Sequence, residues 1–271
     1  MLNQHTRKPA ASQRVFITGA SSGIGQALAR HYLKQGAIVG LVARRRELLE
    51  SIMAETPTGQ CLIYSVDVRD AEAMHSAAAD FYHQVGVPHI VIANAGVSRG
   101  TLTEHREDIA AFRAVFEINV FGMVNTFQPF IFFMDQARQQ EPGYHGQLVG
   151  IASVAGIRGL PGAGAYSASK SAAITYLESL RTEMQHHHIG VTTIAPGYIR
   201  TPMTDVNDYS MPFLMDVNLA AEKFAVAIAK RQRFVIIPWQ MGWVARILRI
   251  IPRWLWDRLT RNSPHKPRIH Q

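Results

Sequence analysis

The chain has 271 residues, of which 47% are hydrophobic, and this predicts one large α/β domain with a sizeable core and excludes a disordered protein. Its single cysteine, Cys61, excludes an intramolecular disulfide and is typical of a reducing compartment. The net charge of +8 lies in the segment from Lys230 to the end, which alone carries +9, and this uneven distribution argues against a nucleic-acid enzyme.

No part of the sequence is typical of a signal peptide or a membrane span. Residues 1–13 lack an apolar run, and we expect them to form a disordered or loosely packed tail. The stretch 115–134 is rich in apolar residues, but it contains Glu117, Asn119 and Asn125, so it predicts a buried helix. We therefore expect a cytoplasmic protein.

Strand and helix patterns then alternate along the chain. The predicted strands are 14–18, 37–43, 61–66, 89–93, 146–152, 191–194 and 234–237. The predicted helices are 25–35, 45–54, 71–84, 109–137, 165–187 and 220–230. Apolar runs without alternation indicate strands buried on both faces, and the strand–helix–strand order indicates a parallel sheet. The sequence predicts a single doubly wound α/β domain over 14–237, followed by an extension over 238–271.

A glycine-rich turn, TGASSGIG, follows the first strand and opens the first helix. Gly19 permits the tight turn, Gly23 lets the backbone approach a pyrophosphate, and Gly25 lets the helix pack close to the sheet. The helix N-terminus then offers free N–H groups to a phosphate. The turn residues assigned to a nucleotide cofactor are Gly19, Ser21, Ser22, Gly23, Ile24 and Gly25.

The turn resembles the cofactor turn of the short-chain dehydrogenase/reductase family. Further markers follow in family order and spacing: Asn94-Ala95-Gly96, Asn119, Ser153, Tyr166 with Lys170 as Tyr-x-x-x-Lys, and Pro196-Gly197. The resemblance covers about 14–237. It implies a Rossmann-like seven-stranded sheet in the order 3-2-1-4-5-6-7 and a homodimer or homotetramer.

The residues after the second strand predict the choice between NAD and NADP. An acidic side chain there bonds the ribose 2′-hydroxyl, whereas an arginine accommodates a 2′-phosphate. Here the strand is followed by Arg44, Arg45 and Arg46, with no acid before Glu47. We expect NADP(H) to be preferred over NAD(H), with Arg44 as the first phosphate contact and Arg45 as the second.

The family resemblance implies the rest of the cofactor contacts. Asp67 is expected to bond the adenine amino group and Val68 to flank the ring, while Asp70 is the better cap for the following helix. The other residues assigned to the cofactor are Asn94, Ala95, Gly96, Tyr166, Lys170, Pro196, Gly197, Ile199 and Thr201.

The candidate catalytic residues are Asn119, Ser153, Tyr166 and Lys170. Tyr166 and Lys170 are four residues apart, so they share one helix face. A nearby ammonium lowers the pKa of a phenol, which predicts Tyr166 as general acid or base. Ser153 is expected to donate a hydrogen bond to the reacting oxygen. The resemblance implies that Asn119 bends its helix and holds a water that connects Lys170 with solvent.

The segment 201–218 is rich in methionine and aromatic residues and resembles the family's mobile substrate lid. Unbranched methionines suit a loosely shaped apolar ligand, so we expect a hydrophobic substrate. The alternative is that these residues only pack the lid shut. The substrate candidates are Val154, Leu160, Tyr198, Met203 and Phe213.

The extension is basic and amphipathic. On a helical wheel Arg246, Arg249, Arg253 and Asp257 share one sector, and Pro252 is expected to kink or end the first helix. Such a helix can lie on an anionic membrane surface, or it can pack on the body or a neighbouring subunit. The histidines 186–188 lack acid or cysteine ligands at metal spacing, so no metal site is expected.

These features predict an NADP(H)-dependent oxidoreductase of the carbonyl reductase type. It would transfer a hydride between nicotinamide and a carbonyl or secondary alcohol of a small molecule. One alternative is a catalytically silent nucleotide-binding regulatory protein with the same fold. A nucleotide-sugar epimerase or dehydratase is disfavoured, because such chains usually have a G-x-x-G-x-x-G turn and a larger C-terminal domain.

Overall fold

A computed structural model of the chain describes residues 12–57, 59–261 and 268. The predicted N-terminal tail, 1–13, lies outside the described residues except for Ser12 and Gln13, and so does most of the extension after Arg261.

All seven predicted strands are present and form one parallel sheet. They are Arg14–Thr18 (β1), Ile38–Val42 (β2), Cys61–Tyr64 (β3), Ile90–Ala93 (β4), Gln147–Ile151 (β5), Gly190–Pro196 (β6) and Phe234–Ile237 (β7). Their order is β3-β2-β1-β4-β5-β6-β7, and every neighbouring pair is parallel. The predicted Rossmann-like sheet, its strand order and the single domain are therefore confirmed.

Helices cover both faces of the sheet. In the described part of the chain they are Gly23–Lys34 (α1), Arg46–Ala54 (α2), Ala71–Val85 (α3), Asp108–Phe116 (α4), Gly122–Gln140 (α5), Gly164–Glu183 (α6), Val217–Ala229 (α7), Trp239–Ile250 (α8) and Arg253–Thr260 (α9). Helices α1, α2 and α7 pack on one face, and α3, α5 and α6 pack on the other. The chain therefore moves to opposite faces after β1 and β4, and this leaves a crevice at their carboxyl ends.

Helix boundaries follow local signals in the sequence. Asp70 caps α3 by accepting a hydrogen bond from the backbone N–H of Ala73 (3.0 Å), as expected. The predicted long helix after β4 is divided by a π-helical turn, Glu117–Phe121, between α4 and α5. Pro252 ends α8, because a proline cannot continue the hydrogen-bond ladder, and α9 begins at the next residue.

The extension begins with a helix that is part of the packed body. In α8, Met241 and Ala245 are buried and form a small apolar cluster with Val154. Arg158 donates a hydrogen bond to the Leu248 carbonyl oxygen at 3.2 Å. Among the described residues, no helix is both long and apolar enough to cross a membrane.

Aromatic side chains fill the core under α3 and α5, and they leave no room for a side chain on the middle of β2. The Phe16 ring lies 4.7 Å from that of Phe130 and 5.4 Å from that of Phe81. A Cβ atom at Gly40 would come within 2.7 Å of Phe16 Cδ2 and 2.8 Å of Phe81 Cδ2. Only glycine therefore fits at this position with the rings as they stand.

We expect Gly40→Ala to destabilise the protein by about 1–3 kcal/mol, because the added methyl group overpacks a close-packed aromatic core. Gly164→Ala is the matched control, because a Cβ at Gly164, the first residue of α6, meets no atom within 4 Å. The control should be neutral or slightly stabilising. Urea unfolding of both variants measures the difference, and equal midpoints would contradict the packing argument.

Candidate active site

One cleft at the carboxyl edge of the sheet brings most of the predicted site residues together. Its lining includes Gly19, Ser21, Ser22, Gly23, Ile24, Arg44, Arg45, Asp67, Val68, Asn94, Ala95, Gly96, Ser153, Tyr166, Lys170, Pro196, Gly197, Ile199, Thr201 and Met203. Gly25 and Asn119 lie behind this lining and support it, as described below.

The glycine turn depends on backbone groups that approach without side chains. Gly19 and Gly23 have positive φ values of 67° and 55°, which side-chain-bearing residues rarely adopt. A Cβ atom at Gly25 would overlap the Gly19 carbonyl oxygen and the Asn94 side-chain nitrogen. The first N–H groups of α1 therefore face the cleft along an uncovered backbone, and the Ser22 side chain does not cap them.

Asn94 holds the turn in place from β4. Its side-chain nitrogen donates to the carbonyl oxygens of Thr18 (3.0 Å) and Gly19 (3.2 Å). Its backbone N–H donates to the buried Thr18 hydroxyl at 3.2 Å. Asn94 lines the cleft, as predicted from the family resemblance, and in this structure its side chain connects the ends of β1 and β4.

Three arginines lie near the carboxyl ends of β2 and β3. Arg45 donates a hydrogen bond to the Ser21 hydroxyl at 3.3 Å, which places its guanidinium beside the glycine turn. Arg44 lies 3.9 Å from the Asp67 carboxylate, and Arg69 bonds the same carboxylate at 2.7 Å. These arginines, Arg69 foremost, hold the pKa of Asp67 below its usual value, so the carboxylate is ionised at neutral pH.

Tyr166, Lys170 and Ser153 meet near the end of β5. Tyr166 and Lys170 lie on one face of α6, with Lys170 Nζ 5.9 Å from the Tyr166 ring centre. The Lys170 ammonium donates to the Ile151 carbonyl oxygen at 2.9 Å. Ser153 accepts a hydrogen bond from the backbone N–H of Ala155 at 3.1 Å, so it also caps the 3-10 turn Val154–Gly156.

Burial dominates the electrostatics of this group. It lowers the pKa of Lys170 to about 8 and raises the pKa of Tyr166, while the hydrogen bond with Ser153 acts to lower that of Tyr166. The expectation of a lowered phenol pKa is therefore wrong for this structure. The physical reason is that desolvation by burial disfavours the phenolate, and this effect outweighs the hydrogen bond with Ser153.

Asn119 lies in the π-helical turn and connects three parts of the site. Its side-chain oxygen accepts from the Val97 N–H at 2.8 Å, and its nitrogen donates to the Val97 carbonyl oxygen at 3.0 Å. The same nitrogen donates to the Ser169 hydroxyl at 2.9 Å, and that hydroxyl donates to the Tyr166 carbonyl oxygen at 2.8 Å. Asn119 therefore ties the loop after β4 to the helix that carries Tyr166 and Lys170.

The segment after β6 closes the other side of the cleft. The Gly197 N–H donates to the Ile237 carbonyl oxygen at 2.8 Å, which continues the sheet pairing past Pro196. Thr201 lies against the glycine turn, because a Cβ at Gly23 would meet its methyl group at 3.2 Å. The Thr204 hydroxyl accepts from the Thr201 N–H at 3.0 Å and donates to the Ile199 carbonyl oxygen at 2.8 Å.

The predicted substrate residues are not gathered in one place. Met203 lines the cleft, whereas Val154 packs against Met241 and Ala245 of α8. Tyr198 lies edge-on to Tyr209 with ring centres 6.5 Å apart. Leu160 is partly buried, and Phe213 is exposed with a positive φ of 59°. The lining residues of the cleft do not include Val154, Leu160, Tyr198 or Phe213.

The residues of the cleft fit a nicotinamide dinucleotide. A turn without side chains and an open helix N-terminus suit the pyrophosphate. Arg44 and Arg45 follow the end of β2, and Tyr166 and Lys170 line the same cleft from α6. The described residues contain no group of His, Cys, Asp and Glu side chains that would hold a metal ion.

Four supporting residues were not predicted from the sequence. Thr18 and Ser169 provide hydroxyl links to Asn94 and Asn119, and Thr204 holds the segment after β6. At Gly156 a Cβ atom would lie 2.6 Å from the Lys170 backbone carbon, so this glycine lets the Ser153 turn rest on α6. Serines, threonines and a lone glycine carry no local signal, and their roles arise from partners far away in the chain.

Comparison with known proteins gives the same assignment from independent sequences and structures. The family model for short chain dehydrogenases matches residues 13–210. An uncharacterized oxidoreductase of Myxococcus xanthus (strain DK1622) is 33% identical over 91% of this chain and 95% of its own length. The 11-beta-hydroxysteroid dehydrogenase-like 2 of Arabidopsis thaliana is 33% identical over 88% of this chain and 77% of its own.

A solved structure agrees over nearly the whole chain. A short-chain dehydrogenase from Burkholderia cenocepacia J2315, crystallised in complex with NADP, superposes with a TM-score of 0.78 at 25% identity, covering 93% of this chain and 98% of that one. With the family model matched over most of the chain and the glycine turn, Ser153, Tyr166 and Lys170 in one cleft, the chain belongs to the short-chain dehydrogenase family and is an oxidoreductase.

Proposed function

We propose that the protein is an NADP(H)-dependent carbonyl reductase or alcohol dehydrogenase whose substrate is hydrophobic. The observation that carries the proposal is the meeting of Ser153, Tyr166 and Lys170 with the glycine turn and two arginines in one cleft. When bound in this cleft, the nicotinamide would supply or accept the hydride. Side chains of the protein would transfer the proton, stabilise the developing charge and orient the cofactor.

In the proposed reduction, Tyr166 donates its proton to the carbonyl oxygen, and in the oxidation it removes the proton from the alcohol. A raised pKa suits the first role, because it keeps the phenol protonated at neutral pH. Ser153 stabilises the developing charge on the same oxygen by hydrogen bonding. Lys170 orients the nicotinamide ribose and keeps a positive charge near the phenol.

NADP(H) is proposed over NAD(H) because Arg44 and Arg45 line the cleft and Asp67 is already paired with Arg69. An Asp67 carboxylate bonded in this way repels a 2′-phosphate less than a free one would. The proposal rests on these arginines, because similar solved structures hold either cofactor: the one from Burkholderia cenocepacia holds NADP and one from Burkholderia phymatum holds NAD.

Apolar side chains at the cleft support a hydrophobic substrate. Met203 lines the cleft, and Val206 and Phe213 are exposed on the same segment between β6 and α7. Apolar side chains that line a cleft, as Met203 does, are typical of a ligand-binding wall. The relative named 11-beta-hydroxysteroid dehydrogenase-like 2 suggests a bulky alicyclic alcohol or ketone as the first class to screen.

The cofactor proposal predicts that NADPH binds about tenfold or more tightly than NADH, and that Arg44→Ala removes most of this difference. The expected size follows from the loss of a charge-assisted hydrogen bond to a phosphate. Arg46→Ala is the matched control, because Arg46 is exposed and pairs with Glu50 at 2.7 Å on α2. Titrations followed by nicotinamide fluorescence measure the NADPH and NADH affinities of the wild type and of both variants. Equal binding of NADH and NADPH by the wild type would contradict the proposal.

The catalytic proposal predicts that Tyr166→Phe lowers the rate of ketone reduction by about 10²–10⁴-fold, because the proton donor is lost. NADPH affinity should change little. Tyr176→Phe, on the same helix, removes a comparable hydroxyl and should keep full activity. Turnover by Tyr166→Phe at the wild-type rate would exclude Tyr166 as the acid, and no turnover by the wild type with any ketone would favour a silent nucleotide-binding protein.

The burial of Lys170 predicts a pH dependence of stability. Its pKa falls from 10.5 in the unfolded chain to about 8 in the folded protein, so the folded state disfavours the ammonium. Below pH 8 the lysine is charged in both the folded and the unfolded state. Burying the ammonium then lowers the free energy of unfolding by its full amount, on the order of 3 kcal/mol. Between pH 8 and 10.5 the unfolded chain binds more protons, so this cost fades as pH rises.

The experiment compares wild type with Lys170→Met by urea unfolding from pH 7 to pH 10. The stability of Lys170→Met relative to wild type should decrease as pH rises. Loss of the hydrogen bond to Ile151 adds a difference that does not depend on pH, so it does not affect this trend. Lys223→Met, an exposed lysine on α7, is the control and should show no such trend. A pH-independent difference for Lys170→Met would mean that the lysine is not buried in the folded state.

A further inference from the structure

Helix α8 has two apolar faces, and only one of them is covered by the protein. Met241 and Ala245 point into the body, where they are buried with Val154. A different face carries Trp239, Trp243, Ile247 and Ile250, which are between 53% and 78% exposed. A surface helix that uses one apolar face for the core normally has polar residues on the other.

The exposed face of α8 is held rigidly by its inner face. Met241 packs on Gly197, where a Cβ atom would come within 2.6 Å of the methionine Cγ. Arg158 bonds the Leu248 carbonyl oxygen at 3.2 Å, and its guanidinium lies 5.3 Å from the Trp256 ring centre. The exposed apolar residues are therefore presented on a helix that is fixed to the wall of the cleft.

Arginines border this exposed face. Arg246 lies over the Trp243 ring at 4.7 Å, and Arg249 is exposed one turn further along. Helix α9 continues with the exposed residues Arg253, Trp254 and Arg258. From residue 238 to 261 the chain has five arginines and one acid, Asp257.

All four tryptophans of the chain lie between residues 239 and 256. Three of them, Trp239, Trp243 and Trp254, are more than half exposed. Tryptophan combines a large apolar ring with a polar N–H group and is enriched where apolar and aqueous phases meet. Their concentration on one surface, with arginines at its border, matches the side-chain chemistry of helices that lie in a lipid headgroup layer.

We propose that this tryptophan–arginine face, formed by Trp239, Trp243, Ile247, Ile250 and Trp254 with Arg246 and Arg249, binds the surface of an anionic lipid bilayer. The apolar side chains enter the boundary between headgroups and acyl chains, and the arginines contact the lipid phosphates and carboxylates. Helix α8 lies in the plane of the membrane, because its inner face stays packed on the body.

Charge complementarity favours a bilayer over a second copy of the chain. A two-fold symmetric contact brings two copies of the same net-positive surface together. Such like-charge juxtaposition opposes association. A bilayer that contains phosphatidylserine presents the opposite charge over a flat area.

The tryptophans provide a direct measurement on the full-length protein, because three of the four, Trp239, Trp243 and Trp254, belong to the proposed surface. Vesicles of phosphatidylcholine mixed with phosphatidylserine should shift tryptophan emission to shorter wavelength, and brominated lipid should quench it. Vesicles of phosphatidylcholine alone should have a much smaller effect. Binding measured by co-sedimentation should weaken as salt is added, because ions screen the attraction.

Two variant pairs test the two parts of the surface while keeping all tryptophans. Ile247→Ser with Ile250→Ser should weaken vesicle binding on the order of tenfold, because less apolar area enters the bilayer. Its control is Leu219→Ser with Val226→Ser, two exposed apolar residues of α7. Arg246→Gln with Arg249→Gln should weaken binding about 25-fold, at about fivefold per charge. Its control is Lys34→Gln with Lys223→Gln, which removes the same charge elsewhere.

NADPH binding by every variant verifies that the fold is intact. The proposal is overturned if the wild-type emission is unchanged by anionic vesicles at low salt, or if the control pairs lose as much binding as the test pairs. It is also overturned if Ile247→Ser with Ile250→Ser dissociates an oligomer in sedimentation velocity while wild type ignores vesicles. That result would assign the face to a contact between copies of the chain.

Discussion

Between β1 and α1 the backbone of Gly19 comes so close to Gly25 and to the Asn94 side chain that no Cβ atom fits at either glycine. This close approach lets α1 begin directly beside the sheet, so that the N–H groups of its first turn are directed into the crevice. Asn94 bonds the Thr18 and Gly19 carbonyl oxygens, so β4 fixes the geometry of a turn that belongs to β1. The position of Thr201 against Gly23 follows from the same turn, because only a bare backbone leaves room for it.

Buried polar groups organise the part of the cleft that contains Tyr166 and Lys170. Lys170 and Asn119 are almost completely buried, and each forms hydrogen bonds with the backbone, Lys170 with Ile151 and Asn119 with Val97. Burying an ammonium costs desolvation free energy, which lowers the stability of the folded state. The same burial fixes the position of the Lys170 side chain. The π-helical turn at Asn119 is the backbone irregularity that directs the amide toward Val97 and Ser169.

Helix α8 connects the cleft with the protein surface. Its inner face packs on Gly197, whose backbone lines the cleft, and its outer face exposes two tryptophans. A contact made by the outer face therefore acts on a helix that touches the wall of the site through one layer of side chains. The described part of the basic extension and the cleft therefore form one structural unit.

Local signals in the sequence determined a large part of this protein. Apolar runs located the seven strands, and Pro252 located the end of α8. The glycine turn and the Tyr166–Lys170 spacing located the site. Each of these features depends on residues that are close together in the chain. The tertiary structure alone decided the upward direction of the Tyr166 pKa shift, since it depends on enclosure by distant segments. It alone gave Asn94, Gly156 and Ser169 their supporting roles, because their partners are far away in the sequence. It also divided the apolar residues of α8 between core and surface, since a helical wheel orders side chains around an axis but does not show which side meets the protein.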